Sequence, residues 1–268
     1  MTVRIVTDSS SGLPENIVDE LGITVIDLHL LSEDEQVPTG TAGLNALELT
    51  AAYARQLERG GDDGVVALHL GRNLSSTMSA ALTAAAIFDN KVRVVETGTV
   101  GMAVGAAAMA AARLARDGAS VDDCQEIAES TLARSRTWLY LDHVDAIRRS
   151  GRISTATAVI SSTLASRPIM HIRDGRIELA AKTRTPTKAF SKLAELIQEQ
   201  AEGRPVFVGI QHADALENAE RLYDLFSQVL APGTSIMIVP LPDVLLAHCG
   251  SGAIGVSVVD SDFSTSLR

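Results

Sequence analysis

The fold of this chain is constrained most by one stretch in which a strand pattern, a hydroxyl-rich loop and a helix pattern follow one another. Residues 65–70 are apolar, have the composition of a buried strand, and end at a Gly-Arg-Asn turn. Ser75, Ser76 and Thr77 follow, and the alanine-rich residues 79–88 predict a helix. A strand joined to a helix by a short loop is the repeating unit of a parallel sheet, so this stretch predicts an α/β fold.

The hydroxyl loop has two interpretations. The first N–H groups of a helix lack intrahelical partners and lie at the positive end of the helix dipole, so Ser and Thr hydroxyls there can converge on a carboxylate or phosphate. Alternatively, Ser75 or Ser76 only caps the helix, because serine is favoured at that position whether or not a ligand binds. This stretch alone leaves both interpretations open.

The same alternation runs through the first part of the chain and predicts a parallel sheet. Asn45, with Glu48 three residues later, has the spacing of a capping box at a helix start, after a polar loop over residues 32–43. The predicted strands cover residues 3–7, 23–31, 65–70, 92–96 and 137–141, and the predicted helices cover residues 14–21, 45–59, 79–88, 100–116 and 121–135.

The pattern changes after residue 157. Residues 168–172 and 176–181 predict a hairpin turned by Arg173-Asp174-Gly175. Helices over residues 187–202 and 213–230 and strands over residues 206–211, 235–240 and 253–259 complete this part. We therefore predict a parallel-sheet α/β domain over residues 1–157, packed closely against an α+β domain over residues 158–268 that has a mainly antiparallel sheet with helices on one face.

Charge and composition limit the partners and the setting. Acidic residues outnumber basic ones by 33 to 23, and no basic stripe offsets this excess, so we expect no nucleic-acid partner. The most apolar stretch, residues 100–112, is shorter than the ~20 residues of a spanning helix, so we expect no integral membrane segment. Cys124 and Cys249 are the only cysteines and no targeting peptide is visible, which predicts a cytoplasmic protein.

Polar side chains collect at the predicted ends of elements and suit an anionic ligand. They form four clusters, Asp8-Ser9-Ser10, Thr39-Gly40-Thr41, Ser75-Ser76-Thr77 and His248 before Cys249-Gly250-Ser251-Gly252, and Arg152 in a basic turn adds positive charge. Hydroxyls form short directional hydrogen bonds, and a histidine can orient a hydroxyl through one ring nitrogen. Turn and capping roles explain Ser9 and Ser10 equally well, a surface ion pair is the alternative for Arg152, and a buried structural histidine is the alternative for His248.

The sequence gives little support to catalysis or to a metal site. His248 and Cys249 are adjacent, so on an extended chain their side chains point to opposite faces and form no Cys–His dyad. The six histidines lack a tight ligand spacing, and no phosphate-binding glycine motif is present. We therefore predict no catalytic residue and no metal ligand.

Five short motifs occur along nearly the whole chain in a specific order. They are Val-Thr-Asp-Ser-Ser at residues 6–10, Leu-Ser-Ser-Thr at 74–77, Ser-Gly-Arg-Ile-Ser at 150–154, Pro168-Ile169 followed by Asp174-Gly175, and His-Cys-Gly-Ser-Gly-Ala at 248–253. In this order and spacing the chain resembles the DegV family, which includes the FakB fatty-acid-binding subunits of bacterial fatty acid kinase.

The resemblance implies a bacterial protein with the two-domain DegV fold that holds one long-chain fatty acid, with the tail in an apolar tunnel and the carboxylate near the domain junction. It implies no cofactor, and a partner, the fatty acid kinase catalytic subunit, would phosphorylate the carboxylate. The ligand-binding residues predicted from the motifs and clusters are Thr41, Ser75, Ser76, Thr77, Arg152, His248, Ser9 and Ser10. An enzyme acting on a small phosphorylated or carboxylated substrate at the same site is the alternative.

This chain departs from the family pattern near the expected head group. Thr41-Ala42-Gly43-Leu44 stands where the family commonly has Thr-Ser-Gln-Pro, which makes Thr39 a second candidate for the contact assigned to Thr41. Ser76 and Ser150 each replace a glycine of their motifs. These departures bear on the head-group geometry more than on the fold.

Overall fold

The structure is a computed structural model that describes residues 2–31, 40–153 and 166–261. Its strands are β1 (Arg4–Asp8), β2 (Thr24–Ile26), β3 (His29–Leu31), β4 (Gly40–Ala42), β5 (Val65–His69), β6 (Val92–Glu96), β7 (Ser135–Tyr140), β8 (Arg167–Arg173), β9 (Arg176–Thr183), β10 (Val206–His212), β11 (Ser235–Pro240) and β12 (Ile254–Asp260). Its α-helices are α1 (Glu15–Leu21), α2 (Ala46–Gly60), α3 (Thr77–Ala85), α4 (Met102–Arg116), α5 (Val121–Ala133), α6 (Asp145–Arg149), α7 (Pro186–Ala201), α8 (Leu216–Val229) and α9 (Asp243–Cys249).

The first sheet is parallel, in the strand order β2-β1-β5-β6. The predicted capping box starts α2: Asn45 accepts a hydrogen bond from the Glu48 N–H, and the Glu48 carboxylate accepts one from the Asn45 N–H. Gly61 ends this helix with φ +67°, a left-handed conformation that glycine adopts without steric cost. The predicted α/β class is confirmed for this half of the fold.

The second sheet has the order β11-β10-β12-β7-β8-β9, and only the pair β10 and β11 is parallel. The predicted hairpin is confirmed as β8 and β9, and both turn residues, Asp174 and Gly175, have positive φ, as a tight two-residue turn requires. The assignment of residues 137–141 to the parallel sheet is wrong, because β7 pairs antiparallel with β12 and β8. The alternation of strands and helices along the sequence does not by itself indicate which sheet a strand joins.

Two further differences concern the polar loop and its flanks. The predicted strand over residues 23–31 is divided into β2 and β3, and β3 pairs antiparallel with β4, a short strand inside the predicted loop. Thr39 and the predicted domain boundary after residue 157 both lie outside the described residues. The short helices α6 and α9 were not predicted, because each is shorter than the window over which helical periodicity can be recognised.

Helix α4 joins the two halves of the molecule. It contacts strands of both sheets, and most of its side chains are buried. Helices α7 and α8 cover the other face of the second sheet and share a core with it. The hairpin turn adds a second junction, since the Asn73 side chain donates to the Asp174 carbonyl and the Gly175 N–H donates to the Gly98 carbonyl. The two sheets therefore face each other across α4 and a cavity beside it.

Candidate functional site

A cavity of about 410 Å³ lies between the two sheets, within the roughly 300–1,000 Å³ typical of small-molecule sites. Its apolar walls come from the first sheet and its loops, from the inner face of the second sheet, and from α9. The apolar residues of these walls include Leu28, Leu70, Leu74, Val100, Leu139, Ile172, Ile177, Leu241, Val244 and Leu245. The arrangement suits a ligand with a long apolar part.

Hydroxyl groups gather at one part of this cavity around Gly43, which follows β4. A Cβ atom on Gly43 would lie 2.7 Å from Thr77 Oγ1, 2.8 Å from Ser75 Oγ and 3.1 Å from Ser76 Oγ. Only glycine leaves room for three hydroxyls at this distance. Ser75 and Ser76 line the cavity, and Ser76 is exposed, so this part of the site reaches the surface.

The structure partly answers whether these serines cap α3. Ser76 occupies the N-cap position, but its side chain caps no N–H group. Ser75 Oγ accepts a hydrogen bond from the Thr77 N–H at 3.2 Å and lies 3.0 Å from Thr77 Oγ1. Ser75 thus has a local structural role and a place in the cavity wall at the same time.

Thr41 and His248 meet across the mouth of the cavity. Thr41 Oγ1 on β4 lies 2.8 Å from Nε2 of His248 on α9. Burial, and secondly the positive charge of Arg152, lower the pKa of His248 to about 4, so the imidazole is neutral at neutral pH. A neutral imidazole that donates its Nε2–H to Thr41 leaves the threonine hydroxyl proton free to donate to an anion.

Arg152 supplies the positive charge of the site. Its side chain is half-buried, lines the cavity, and donates from Nη1 to the Ser150 carbonyl at 2.5 Å. No carboxylate among the described residues pairs with it, so the surface ion-pair interpretation finds no support there. Thr41, Ser75, Ser76, Arg152 and His248 are therefore brought together at one cavity by four separate segments of the chain.

The other three predicted residues lie outside the cavity wall, with hydroxyls bonded elsewhere. Ser9 Oγ accepts the Leu28 N–H, and Ser10 Oγ donates to the Asp8 carboxylate at 2.5 Å. Thr77 is fully buried and its Oγ1 accepts the Leu44 N–H at 3.1 Å. These contacts hold loops in place around the site, which is the structural alternative that the sequence left open for the two serines.

A buried polar network underlies the loops that carry the site. Asp8 Oδ2 lies 3.1 Å from His69 Nδ1, and His69 Nε2 lies 2.8 Å from the Tyr53 hydroxyl. All three side chains are inaccessible to solvent, and burial raises the pKa of Tyr53 well above its ordinary value. Asp8 also accepts the N–H groups of Ser10 and Leu70, so one carboxylate fixes the ends of β1 and β5.

Sequence reasoning missed Thr137 and Gln211, two polar residues of the cavity wall. Gln211 on β10 reaches the cavity although it was counted only as part of a strand, and strand alternation in a sheet with both faces covered gives no signal for it. Cys249 also lines the cavity, and its burial raises the pKa of the thiol to about 12. Among the described residues, no three His, Cys, Asp or Glu side chains converge as a metal site, and no helix is long and apolar enough to cross a bilayer.

The fold and the site define a class of protein with two facing sheets, an apolar cavity between them and a hydroxyl-lined opening. A family model described as "Uncharacterised protein, DegV family" matches residues 33–261. A DegV domain-containing protein of Corynebacterium glutamicum is 56% identical over 260 residues, which cover 97% of this chain and 94% of that protein. The chain belongs to the DegV family.

Solved structures agree with this assignment. The DegV family protein Cg2579 of Corynebacterium glutamicum superposes with a TM-score of 0.94 at 55% identity, covering 98% of this chain and 99% of that chain. DegV of Bacillus subtilis, described as a fatty acid binding protein, has a TM-score of 0.84 at 26% identity, covering 97% of this chain and 100% of that chain. A Thermus thermophilus DegV family protein shares the fold, with a TM-score of 0.88 at 24% identity over 97% of this chain and 100% of that chain.

Proposed function

We propose that this protein binds one long-chain fatty acid and presents its carboxylate to a partner fatty acid kinase, as the FakB subunits do. The observation that carries the proposal is the cavity itself, which combines apolar walls with a hydroxyl cluster at an opening. The fatty acid binding described for the Bacillus subtilis relative supports the same ligand class.

The tail would supply most of the affinity. Each buried methylene contributes ~0.8 kcal/mol before the costs of association are subtracted. The inner face of the second sheet offers Leu139, Ile172 and Ile177 to such a chain. A hydroxyl cluster without an apolar cavity would have favoured a small polar ligand instead.

The head group would be held by neutral donors and one cation. Thr41, Ser75 and Ser76 can each donate a hydroxyl hydrogen bond to a carboxylate, and His248 orients Thr41. Arg152 would balance the negative charge. Hydrogen bonds to a charged group are worth about 1.5–3 kcal/mol each, so this cluster would set the position of the ligand.

Presentation to a kinase is supported by the exposure and charge at the same opening. Ser76 is exposed, and Arg148 and Arg149 on α6 are exposed close in sequence to Arg152. No ion pair joins these two arginines to another described residue. A local cationic surface on a chain of net charge −10 suits an acidic partner or a phosphate-bearing nucleotide held by that partner.

A second candidate, an enzyme for a small carboxylated or phosphorylated substrate, is favoured by the Thr41–His248 pair. In the tautomer whose Nε2 accepts the Thr41 hydroxyl proton, a hydroxyl 2.8 Å from a neutral imidazole has the geometry of an activated nucleophile. The two functions differ in their products. A carrier returns its fatty acid unchanged unless a kinase and a nucleoside triphosphate are added, whereas the enzyme turns over its substrate alone.

The deciding experiment is mass spectrometry of protein purified under native conditions and then denatured to release its ligand. We expect one fatty acid per chain. The kinase step is tested by adding a fatty acid kinase catalytic subunit with ATP and measuring acyl phosphate formation. An empty protein that also fails to bind added palmitate and oleate would refute fatty acid binding, and the second candidate would then be tested by turnover assays.

A further inference from the structure

One polar side chain in the apolar part of the cavity wall is not used by the head-group site. Gln211 lies near the end of β10, where it pairs with Gly255 of β12, and its side chain is 2% exposed. Because Gly255 has no side chain, the neighbouring strand leaves the space beside Gln211 open. Both residues line the cavity.

The orientation of the Gln211 amide is fixed by its surroundings. Oε1 accepts the N–H of Met102, the first residue of α4, at 2.8 Å. A Cβ on Gly101 would lie 2.5 Å from this oxygen, and a Cβ on Gly12 would lie 2.0 Å from Nε2. The amide is thus held between two glycines, and turning it over would cost Met102 its acceptor.

The Nε2 group of this fixed amide is buried and has no hydrogen-bond partner in the part of the chain that the structure describes. Buried polar groups in native proteins are almost always paired, so an unpaired donor in the wall of a ligand cavity points to a partner that arrives with the ligand. The cavity wall also includes the apolar residues Val100, Leu241 and Val244.

The position of Gln211 along the cavity follows from α9. The Leu241 N–H donates to the His212 carbonyl, which places the start of α9 next to Gln211. His248, at the head-group site, lies near the other end of this helix, and seven residues at 1.5 Å each span about 10 Å. The amide would therefore lie beside the acyl chain of a bound fatty acid and away from its carboxylate.

We propose that Gln211 is a specificity-determining residue that selects acyl chains bearing a hydrogen-bond acceptor at mid-chain, a hydroxyl or keto oxygen, over unsubstituted chains. This inference rests on the proposed fatty acid binding and names the substrate class of the same site. A site built to bond a polar group discriminates against the ligand that lacks it, because that ligand leaves the buried donor unpaired. We expect about a tenfold preference, the effect of one such hydrogen bond.

The test compares the dissociation constants of stearate and of a stearate hydroxylated at mid-chain, for wild type and for Gln211→Met. The variant keeps the length of the side chain and removes the amide. Wild type is expected to prefer the hydroxylated acid about tenfold, and the ratio is expected to fall to about one in the variant. The ratio distinguishes this role from a structural one, because general damage to the cavity would lower the affinity for both ligands equally.

Ser11→Ala is the matched control. Ser11 Oγ is another buried hydrogen-bonding atom without a described partner, but it does not line the cavity, so its variant is expected to keep the wild-type ratio. A wild-type ratio at or below one, or an unchanged ratio in Gln211→Met, would overturn the inference and assign the Nε2 group to an ordered water. Even if the variant does not fold, a wild-type ratio at or below one would by itself overturn the inference. Failure to bind either acid would instead refute the proposed function.

Discussion

Thr41 Oγ1 and His248 Nε2 lie 2.8 Å apart although 207 residues separate them in the sequence. The contact joins the β3–β4 hairpin to α9 at the opening of the cavity. Its acid–base state is set by burial, which keeps the imidazole neutral and available as a hydrogen-bond partner. The hydroxyl-lined part of the cavity therefore contains a histidine whose pKa lies well below its ordinary value.

His248 is expected to make the protein less stable in mild acid. Its pKa is about 4 in the folded state, against an ordinary value of 6.5, so between these values the unfolded chain binds the extra proton. Stability from this group is present above pH ~6.5 and is lost as the pH falls toward 4. Urea unfolding of wild type and His248→Gln at pH 7 and pH 5 measures this. Between pH 7 and pH 5 the variant is expected to lose less unfolding free energy than wild type. The difference is at most about 2 kcal/mol, because solvent screens the partly exposed ring. Equal losses of unfolding free energy in wild type and His248→Gln would contradict the lowered pKa of His248.

Replacing Ser75 distinguishes a ligand contact from a helix cap. If Ser75 Oγ bonds a buried carboxylate, Ser75→Ala is expected to weaken fatty acid binding by about 1.5–3 kcal/mol, measured by titration calorimetry with palmitate. Ser79→Ala, an exposed serine on α3, is the matched control and is expected to leave binding unchanged. A loss of only a few tenths of a kcal/mol for Ser75→Ala would leave this residue with its local bond to Thr77.

Gly43→Ala is expected to displace the hydroxyl cluster. The added methyl would lie 2.7 Å from Thr77 Oγ1 and 2.8 Å from Ser75 Oγ, closer than real Cβ contacts allow. We expect an overpacking cost of about 1–3 kcal/mol in thermal or urea unfolding, together with weaker fatty acid binding. Gly40→Ala, at the start of the preceding strand β4, provides the control, because no described residue lies within 4 Å of its Cβ position. Similar behaviour of the two variants would show that the hydroxyls do not converge on Gly43.

Tyr53→Phe tests the buried network beneath the site. The change removes the hydroxyl that pairs with His69 Nε2 and leaves this nitrogen unpaired in a solvent-free environment, at a cost of about 1–3 kcal/mol in unfolding free energy. Tyr223→Phe removes the same atom from a side chain that is 42% exposed, and its effect is expected to stay within about 0.5 kcal/mol. Equal stabilities of wild type and Tyr53→Phe would mean that the network contributes no net stability.

The sequence was most informative where the signal is local. The capping box at Asn45 and the Asp174-Gly175 turn each depend on residues within a few positions of one another, and both are confirmed. The placement of β7 depends instead on pairing with β12 more than 110 residues later, and no local pattern encodes that pairing.

In the candidate site, too, the sequence predicted individual residues but not the contacts between distant segments. Thr41, Ser75, Ser76, Arg152 and His248 were named from motifs, and the structure places all of them at one cavity. Their binding roles stay predictions. The convergence on Gly43 and the unpaired Nε2 group of Gln211 could not be predicted, because both arise from close approaches between segments distant in sequence.

The position of β12 has a consequence for how the protein is made. This strand, near the end of the chain, lies between β10 and β7 in the middle of the second sheet. During synthesis, β7 to β9 and β10 to β11 leave the ribosome as two groups of strands with open edges, and only β12 can join them. The cavity floor spans both groups, with Leu139 on one, Gln211 on the other and Gly255 between them. A nascent chain therefore has no complete pocket until β12 has been translated and inserted.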